Sequence, residues 1–276
     1  MKLVRILLPI DQGGTNEACV KAALTFAKQF SAELEVLHPC LAAWQRLPYA
    51  TELSPYYFQE LINTGSEQVA FEKAEAKAWC DKAVKASGVA IQCSSIEGLI
   101  GPTVAMRARV SDFTVLPTIE ASQSSFWQTA RDAALFDSGR PMLAVPEGAS
   151  AAFAETVTIA WKDNAEATRA VSAAKPFLAT AKRVRLIAVT ESEEEEDQSL
   201  PAMADYLSRA GFEVEQARVE SGSRDVGAAL LEEASAAKKA MLVMGAYGHR
   251  RWKEWAFGGV TQYVLRHAKL PVLMMH

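Results

Sequence analysis

Short unbroken apolar runs alternate along this chain with segments whose apolar residues recur every three or four positions. Val4-Arg5-Ile6-Leu7-Leu8-Pro9-Ile10 is the first run and reads as a buried strand. Asp11-Gln12-Gly13-Gly14-Thr15 follows as a turn, after which Cys19, Ala22, Ala23, Phe26, Ala27 and Phe30 share one helical face. Leu34-Glu35-Val36-Leu37-His38 makes a second strand. The same order returns at Val157-Thr158-Ile159-Ala160-Trp161, with a turn at Lys162-Asp163-Asn164. A helix then runs through Ala167, Ala170, Val171 and Ala174, kinked or ended by Pro176, and Val184 to Val189 is the next strand. The halves also close alike, with Arg140-Pro141-Met142-Leu143-Ala144-Val145 against Leu270-Pro271-Val272-Leu273-Met274-Met275. Strands alternating with helices predict βαβ units and a mostly parallel sheet. The chain therefore reads as a duplicated α/β unit, with domains over 1–148 and 154–276 and linker chemistry at Pro146 to Ser150.

The middles of the halves differ. The first has an aromatic stretch, Tyr49 to Phe58, read as a loop before a helix from about Ser66 to Ala86. The second has Glu191-Ser192-Glu193-Glu194-Glu195-Glu196-Asp197, whose charges repel one another and stay solvated. With 276 residues, half of them hydrophobic, there is material for two full cores. A net charge of −4 argues against nucleic acid as the main partner. Cys19, Cys40, Cys80 and Cys93 form no CxxC pair and are expected to be reduced, mostly buried thiols. No apolar run approaches the ~18 residues of a membrane helix, and the apolar start is too short for a signal peptide. The expectation is a cytoplasmic protein.

The most specific segment is Gly245 to Thr261, GAYGHRRWKEWAFGGVT. It follows the strand run Met241-Leu242-Val243-Met244 and precedes a helix starting near Val260. Glycine at a strand end lets a ligand approach the backbone, and a helix start favours an anion through its free N–H groups and dipole. Gly245, Gly248 and Gly258 have the spacing G-x2-G-x9-G, with Gly259 next. In this strand–loop–helix setting the second half resembles the universal stress protein, or UspA-like, family, whose pattern ends in Ser or Thr where this chain has Gly259. The resemblance continues through Val264-Leu265-Arg266-His267-Ala268 to the last strand, and Asp225 to Ala234 looks like the family's third helix. The first half is similar to the same domain more faintly, with Asp11 after its first strand but no glycine pair after Phe113-Thr114-Val115-Leu116-Pro117.

The resemblance implies an α/β fold of two tandem UspA-like domains (Rossmann-like, of the adenine-nucleotide alpha hydrolase type), each an open, mostly parallel five-stranded sheet flanked by helices. It implies ATP or another adenine nucleotide, with or without magnesium, in the second domain, and a degenerate first domain. By position, Gly245 and Gly248 would line the ribose and phosphate side. Gly258, Gly259, Val260 and Thr261 would offer donors to the phosphates, with His249 and Arg250 beside them. Ala160, Trp161, Asp163 and Val189 would form the adenine end. Loss of one neutral hydrogen bond at Gly259 costs roughly 0.5–1.5 kcal/mol, which weakens such a site without abolishing it. The two terminal strands are expected to pair as an intramolecular pseudo-dimer, because apolar edges need cover, and two chains could associate further.

No catalytic machinery accompanies the cradle. Gly222 to Gly227 has the outer spacing of a Walker A loop, but Ala228-Ala229 replace its Lys and Ser/Thr. No GxGxxG follows a first strand, and no GxSxG or HExxH occurs. The main reading is a nucleotide-dependent stress-response or regulatory protein with at most weak ATPase activity and unknown protein partners. One rival is a tandem scaffold acting through protein partners, with glycines that only make turns. The other is a phosphoanhydride hydrolase using His249 or Thr261.

Overall fold

A computed structural model describes residues 3–46, 54–84, 87–120, 124–149, 154–190, 198–222, 224–248 and 259–276. The first half contains strands β1 (Arg5–Pro9), β2 (Glu33–Cys40), β3 (Ile91–Glu97), β4 (Phe113–Pro117) and β5 (Met142–Val145). Its helices are α1 (Glu17–Phe30), α2 (Pro55–Val84), α3 (Ile100–Arg109) and α4 (Ser125–Asp132), the last continuing as a π-helical turn over Ala133–Asp137. The second half repeats the scheme with β6 (Thr156–Ala160), β7 (Arg183–Thr190), β8 (Val214–Glu220), β9 (Ala240–Gly245) and β10 (Val272–Met275). Its helices are α5 (Ala165–Leu178), α6 (Ser199–Arg209), α7 (Val226–Ser235) and α8 (Gly259–His267).

All the strands form one ten-stranded sheet in the order β3-β2-β1-β4-β5-β10-β9-β6-β7-β8. Each half is parallel throughout, and the halves meet where β5 and β10 pair antiparallel, Leu143 opposite Leu273. The two closing strands thus cover each other. The outermost strands, β3 and β8, carry Gln92, Glu97, Glu215 and Arg218, charged or polar positions that discourage further pairing.

The central strands are buried on both faces, which is why they read as continuous apolar runs. Residues of α1, α2, α5 and α6 build the core on one face, and those of α3, α4, α7 and α8 build it on the other. Phe177 of α5 ties the halves together on the first face. Its ring meets Phe26 and Phe30 at 5.3 Å and Phe113 at 5.5 Å. Asn16 and Asn164 cap α1 and α5 in the same way, each side-chain oxygen accepting a backbone N–H at 2.8 Å.

Two expectations are corrected. The aromatic stretch before α2 is not all loop, because the helix opens at Pro55 rather than near Ser66. Pro55 suits a first helical position, and the Ser54 hydroxyl accepts the Tyr57 N–H at 3.2 Å. Tyr56, Tyr57 and Phe58 therefore stand exposed on the helix. The cysteines are not all reduced thiols: Cys80 of α2 and Cys93 of β3 form a disulfide, 13 residues apart in sequence. Cys19 and Cys40 are buried free thiols, and burial pushes the Cys19 thiol up to about 12. The acidic stretch Glu191 to Asp197 lies outside the described residues.

One charge in the first half is fully enclosed. Glu35 of β2 is completely buried and accepts two bonds from the Arg107 guanidinium at 2.7 Å and one from the Ser94 hydroxyl at 3.2 Å. Removing Arg107 leaves that carboxylate the Ser94 hydroxyl and the Arg5 guanidinium, the latter 3.7 Å away. Arg107→Ala should lower unfolding stability by about 3 kcal/mol, read from urea denaturation. Reducing the Cys80–Cys93 bond releases a loop whose closure is worth about 2–4 kcal/mol, so a reductant should lower the urea midpoint of the wild type and leave a Cys80→Ser/Cys93→Ser variant unmoved.

Candidate functional site

The chain passes from β6 outward to β7 and β8 and then returns to β9 on the other side of β6. Connections leaving β6 and β9 therefore diverge, and open α/β sheets bind ligands beyond the carboxyl ends of strands at such a point. Ala160 ends β6 in register with Ile187 of β7 and Met244 of β9. Gly245 ends β9, and Val189 lies two residues beyond Ile187 on β7. The structure thus brings Ala160, Val189 and Gly245 to the same edge of the sheet. Ala160 and Val189 are half-buried and apolar, a wall of the kind expected for a base.

The first turn of α5 fills much of the space beside that wall. A Cβ on Gly245 would lie 2.5 Å from the backbone nitrogen of Ala167 and 2.7 Å from the carbonyl carbon of Glu166. A Cβ on Gly248 would lie 2.6 Å from Nδ2 of Asn164 and 3.2 Å from Oε2 of Glu166. Both glycines are thus required by close approach to α5. The Glu166 carboxylate at this turn is paired with Arg169 at 2.9 Å. Asn164 was legible only as a turn residue, yet it caps α5 and abuts the glycine loop. Its signal was an Asn directly before a helical apolar pattern.

Trp161 does not present its ring to the crevice. It is buried with the core on the α5 and α6 face, and its indole N–H donates to the Ser199 hydroxyl at 2.8 Å. Asp163 is exposed, next to exposed Lys162. Gly259 opens α8 and a Cβ there would meet nothing within 4 Å among the described residues. Val260 is half-buried. Thr261 is buried, and its hydroxyl oxygen accepts the Tyr247 N–H at 3.2 Å. That bond ties the glycine loop to α8, so the accessible donors at the helix start are backbone groups at Gly259. His249, Arg250 and Gly258 lie outside the described residues.

Tyr247 was missed by sequence reasoning. It holds a left-handed φ of 54°, and its ring packs 5.0 Å from Phe136 of the first half. Burial pushes its phenol up to about 12, with Asp132 adding to the rise and Arg131 opposing it. Among the described residues no group of three His, Cys, Asp or Glu side chains is placed to hold a metal. No helix among them is long and apolar enough to cross a membrane. What the site offers is an apolar wall, backbone donors at a helix start and a glycine loop packed on a helix N-terminus. Gly245→Ala should push α5 away from β9 and destabilise the protein by about 2 kcal/mol, measured by thermal or urea unfolding.

Comparison with known proteins agrees with this architecture. Residues 146–276 match the model of the Universal stress protein family. No curated protein sequence matches the chain. Among solved structures, a universal stress protein from Archaeoglobus fulgidus DSM 4304 is 20% identical with a TM-score of 0.72, covering 98% of this chain and 97% of its own. A functionally unknown protein from Pseudomonas aeruginosa PAO1 is 13% identical with a TM-score of 0.60, covering 99% of this chain and 92% of its own. At these identities the likeness carries the fold, over both halves. The likeness to the universal stress protein family in sequence rests on the second half, residues 146–276, which match the family's model.

Proposed function

We propose that residues 154–276 bind ATP or a related adenine nucleotide at the crevice between β6 and β9, and that the nucleotide state sets conformation or partner choice. The observation that carries this reading is the start of α8. Among the described residues nothing crowds Gly259, at the head of a helix that directly follows the glycine loop, beside the strand switch point. The phosphates would be held by backbone N–H groups at Gly258, Gly259 and Val260, with Arg250 contributing positive charge and His249 within the same loop. The base would lie against Ala160 and Val189, with Asp163 as a polar partner. Trp161 contributes its backbone alone, since its ring is in the core. Magnesium, where it accompanies the nucleotide, would be carried on the phosphates. Any hydrolysis would be slow, because the described residues of the crevice supply no paired nucleophile and base.

A second reading, a tandem scaffold working through protein partners, is favoured by one specific observation. Gly245 and Gly248 are both explained by their contact with α5, without any ligand. Calorimetry with ATP, ADP and AMP separates the two readings. Gly259→Glu is the informative variant: its side chain has room, a carboxylate suits a helix N-terminus for folding, and it repels phosphate. Wild-type protein should bind adenine nucleotide, and Gly259→Glu should weaken it by about tenfold or more with an unchanged melting temperature. No binding heat at millimolar nucleotide with the wild type would leave the scaffold.

A further inference from the structure

A second concavity lies on the axis that relates the two halves. In the β5–β10 pair Leu143 faces Leu273, so the axis passes between them. Leu135 and Leu265 stand at the same distance in sequence before that pair, as do Asp132 and Gln262. All four line one cavity of about 600 Å³ between α4 with its π-helical turn on one side and α8 on the other. This volume is in the range of small-molecule sites. The cavity sits on the flank of α8, not at its N-terminal end.

The walls would match if the halves were identical, and they do not. From the first half come Arg131 and Asp132, and from α8 come Gln262 and Arg266. Arg131 is buried, its guanidinium donating to the Pro117 carbonyl at 3.2 Å, which fixes a positive charge at the back. Arg266 is exposed at the wall and makes no ion pair among the described residues. The nearby Glu120 carboxylate is drawn towards Lys269 at 3.4 Å. Partial burial raises the Asp132 carboxyl, with the Arg131 charge opposing the rise and Asp137 adding to it, and Asp132 stands beside Arg131 at that wall. Leu135, Leu265 and Met142 supply the apolar part of a lining whose larger part is polar. Asp132 stands beside Arg131 and Glu120 is drawn to Lys269, so Arg266, beside the leucines, is the wall cation with no carboxylate paired to it among the described residues.

We propose that this interdomain cavity binds a ring-bearing organic anion, the ring against the leucines and the anionic group towards Arg266 and Arg131. The site is independent of the nucleotide reading and does not stand or fall with it.

The test uses the full chain and 8-anilinonaphthalene-1-sulfonate, a ring-bearing monoanion, followed by fluorescence and calorimetry. One saturable site per chain is expected. Arg266→Glu should weaken it by about tenfold or more, and Gln262→Trp, which fills the cavity, should do likewise. Gly259→Glu should leave probe binding within about twofold of wild type, because it acts at the other site. Each variant is checked for an unchanged melting temperature, so that probe bound to loosened protein is not mistaken for the site. Unsaturable binding to the wild type would overturn the proposal. So would folded Arg266→Glu and Gln262→Trp variants that bind as wild type, or loss of the probe in Gly259→Glu.

Discussion

The antiparallel pairing of β5 with β10 is the constraint on which the rest of the molecule depends. Both strands are short and almost wholly buried, and either half alone would expose an apolar edge ready to pair with anything similar. Joining them turns two five-stranded sheets into one and fixes every other contact between the halves. On one face it brings Phe177 into the cluster of Phe26, Phe30 and Phe113. On the other it sets the end of α4 across from α8, where the backbone N–H of Ile119 donates to the Leu265 carbonyl at 3.1 Å. The cavity at the axis is a by-product of the same geometry: two helices flank a seam too broad for them to close.

Most of this architecture is legible because the relevant signals are local. Buried parallel strands announce themselves as unbroken apolar runs, and both β4 and the closing strands were readable on that basis. The start of α2 was harder, because its first turns bury little and offer no apolar period. Only the pair Ser54-Pro55, a cap followed by a favoured first helical residue, marked it. The disulfide escaped for a different reason. Cys80 and Cys93 meet because α2 packs along the β3 edge, and no spacing rule in the chain encodes that approach.

The site shows where pattern reading reaches its limit. Glycine spacing marks places where two backbones, or a backbone and a ligand, can come close, but it does not say which. At Gly245 the close partner is the first turn of α5. At Gly259, the start of α8, there is no such partner among the described residues. Trp161 illustrates the same limit from the other side. A strand-end aromatic can stack on a base or complete a core, and the bond from its indole to Ser199 decides for the core.

The two halves have diverged at their crevices in a way that fits a division of labour. After β1, Asp11 and Gly14 close a tight turn through paired backbone bonds of 2.9 and 2.8 Å, and Trp79 of α2 lies directly against Gly14. After β6 the turn is shorter and its residues Lys162 and Asp163 are exposed. The second crevice is also wired to the seam. Tyr247 bonds to Thr261 of α8 and packs on Phe136 of the first half, while His276 holds the Ala246 carbonyl at 3.0 Å and meets the same Phe136 ring. Tyr247 thus belongs both to the glycine loop and to the packing between the halves. Rings packed at an interface do not deform smoothly, so these contacts hold the described start of the glycine loop in one place against the first half.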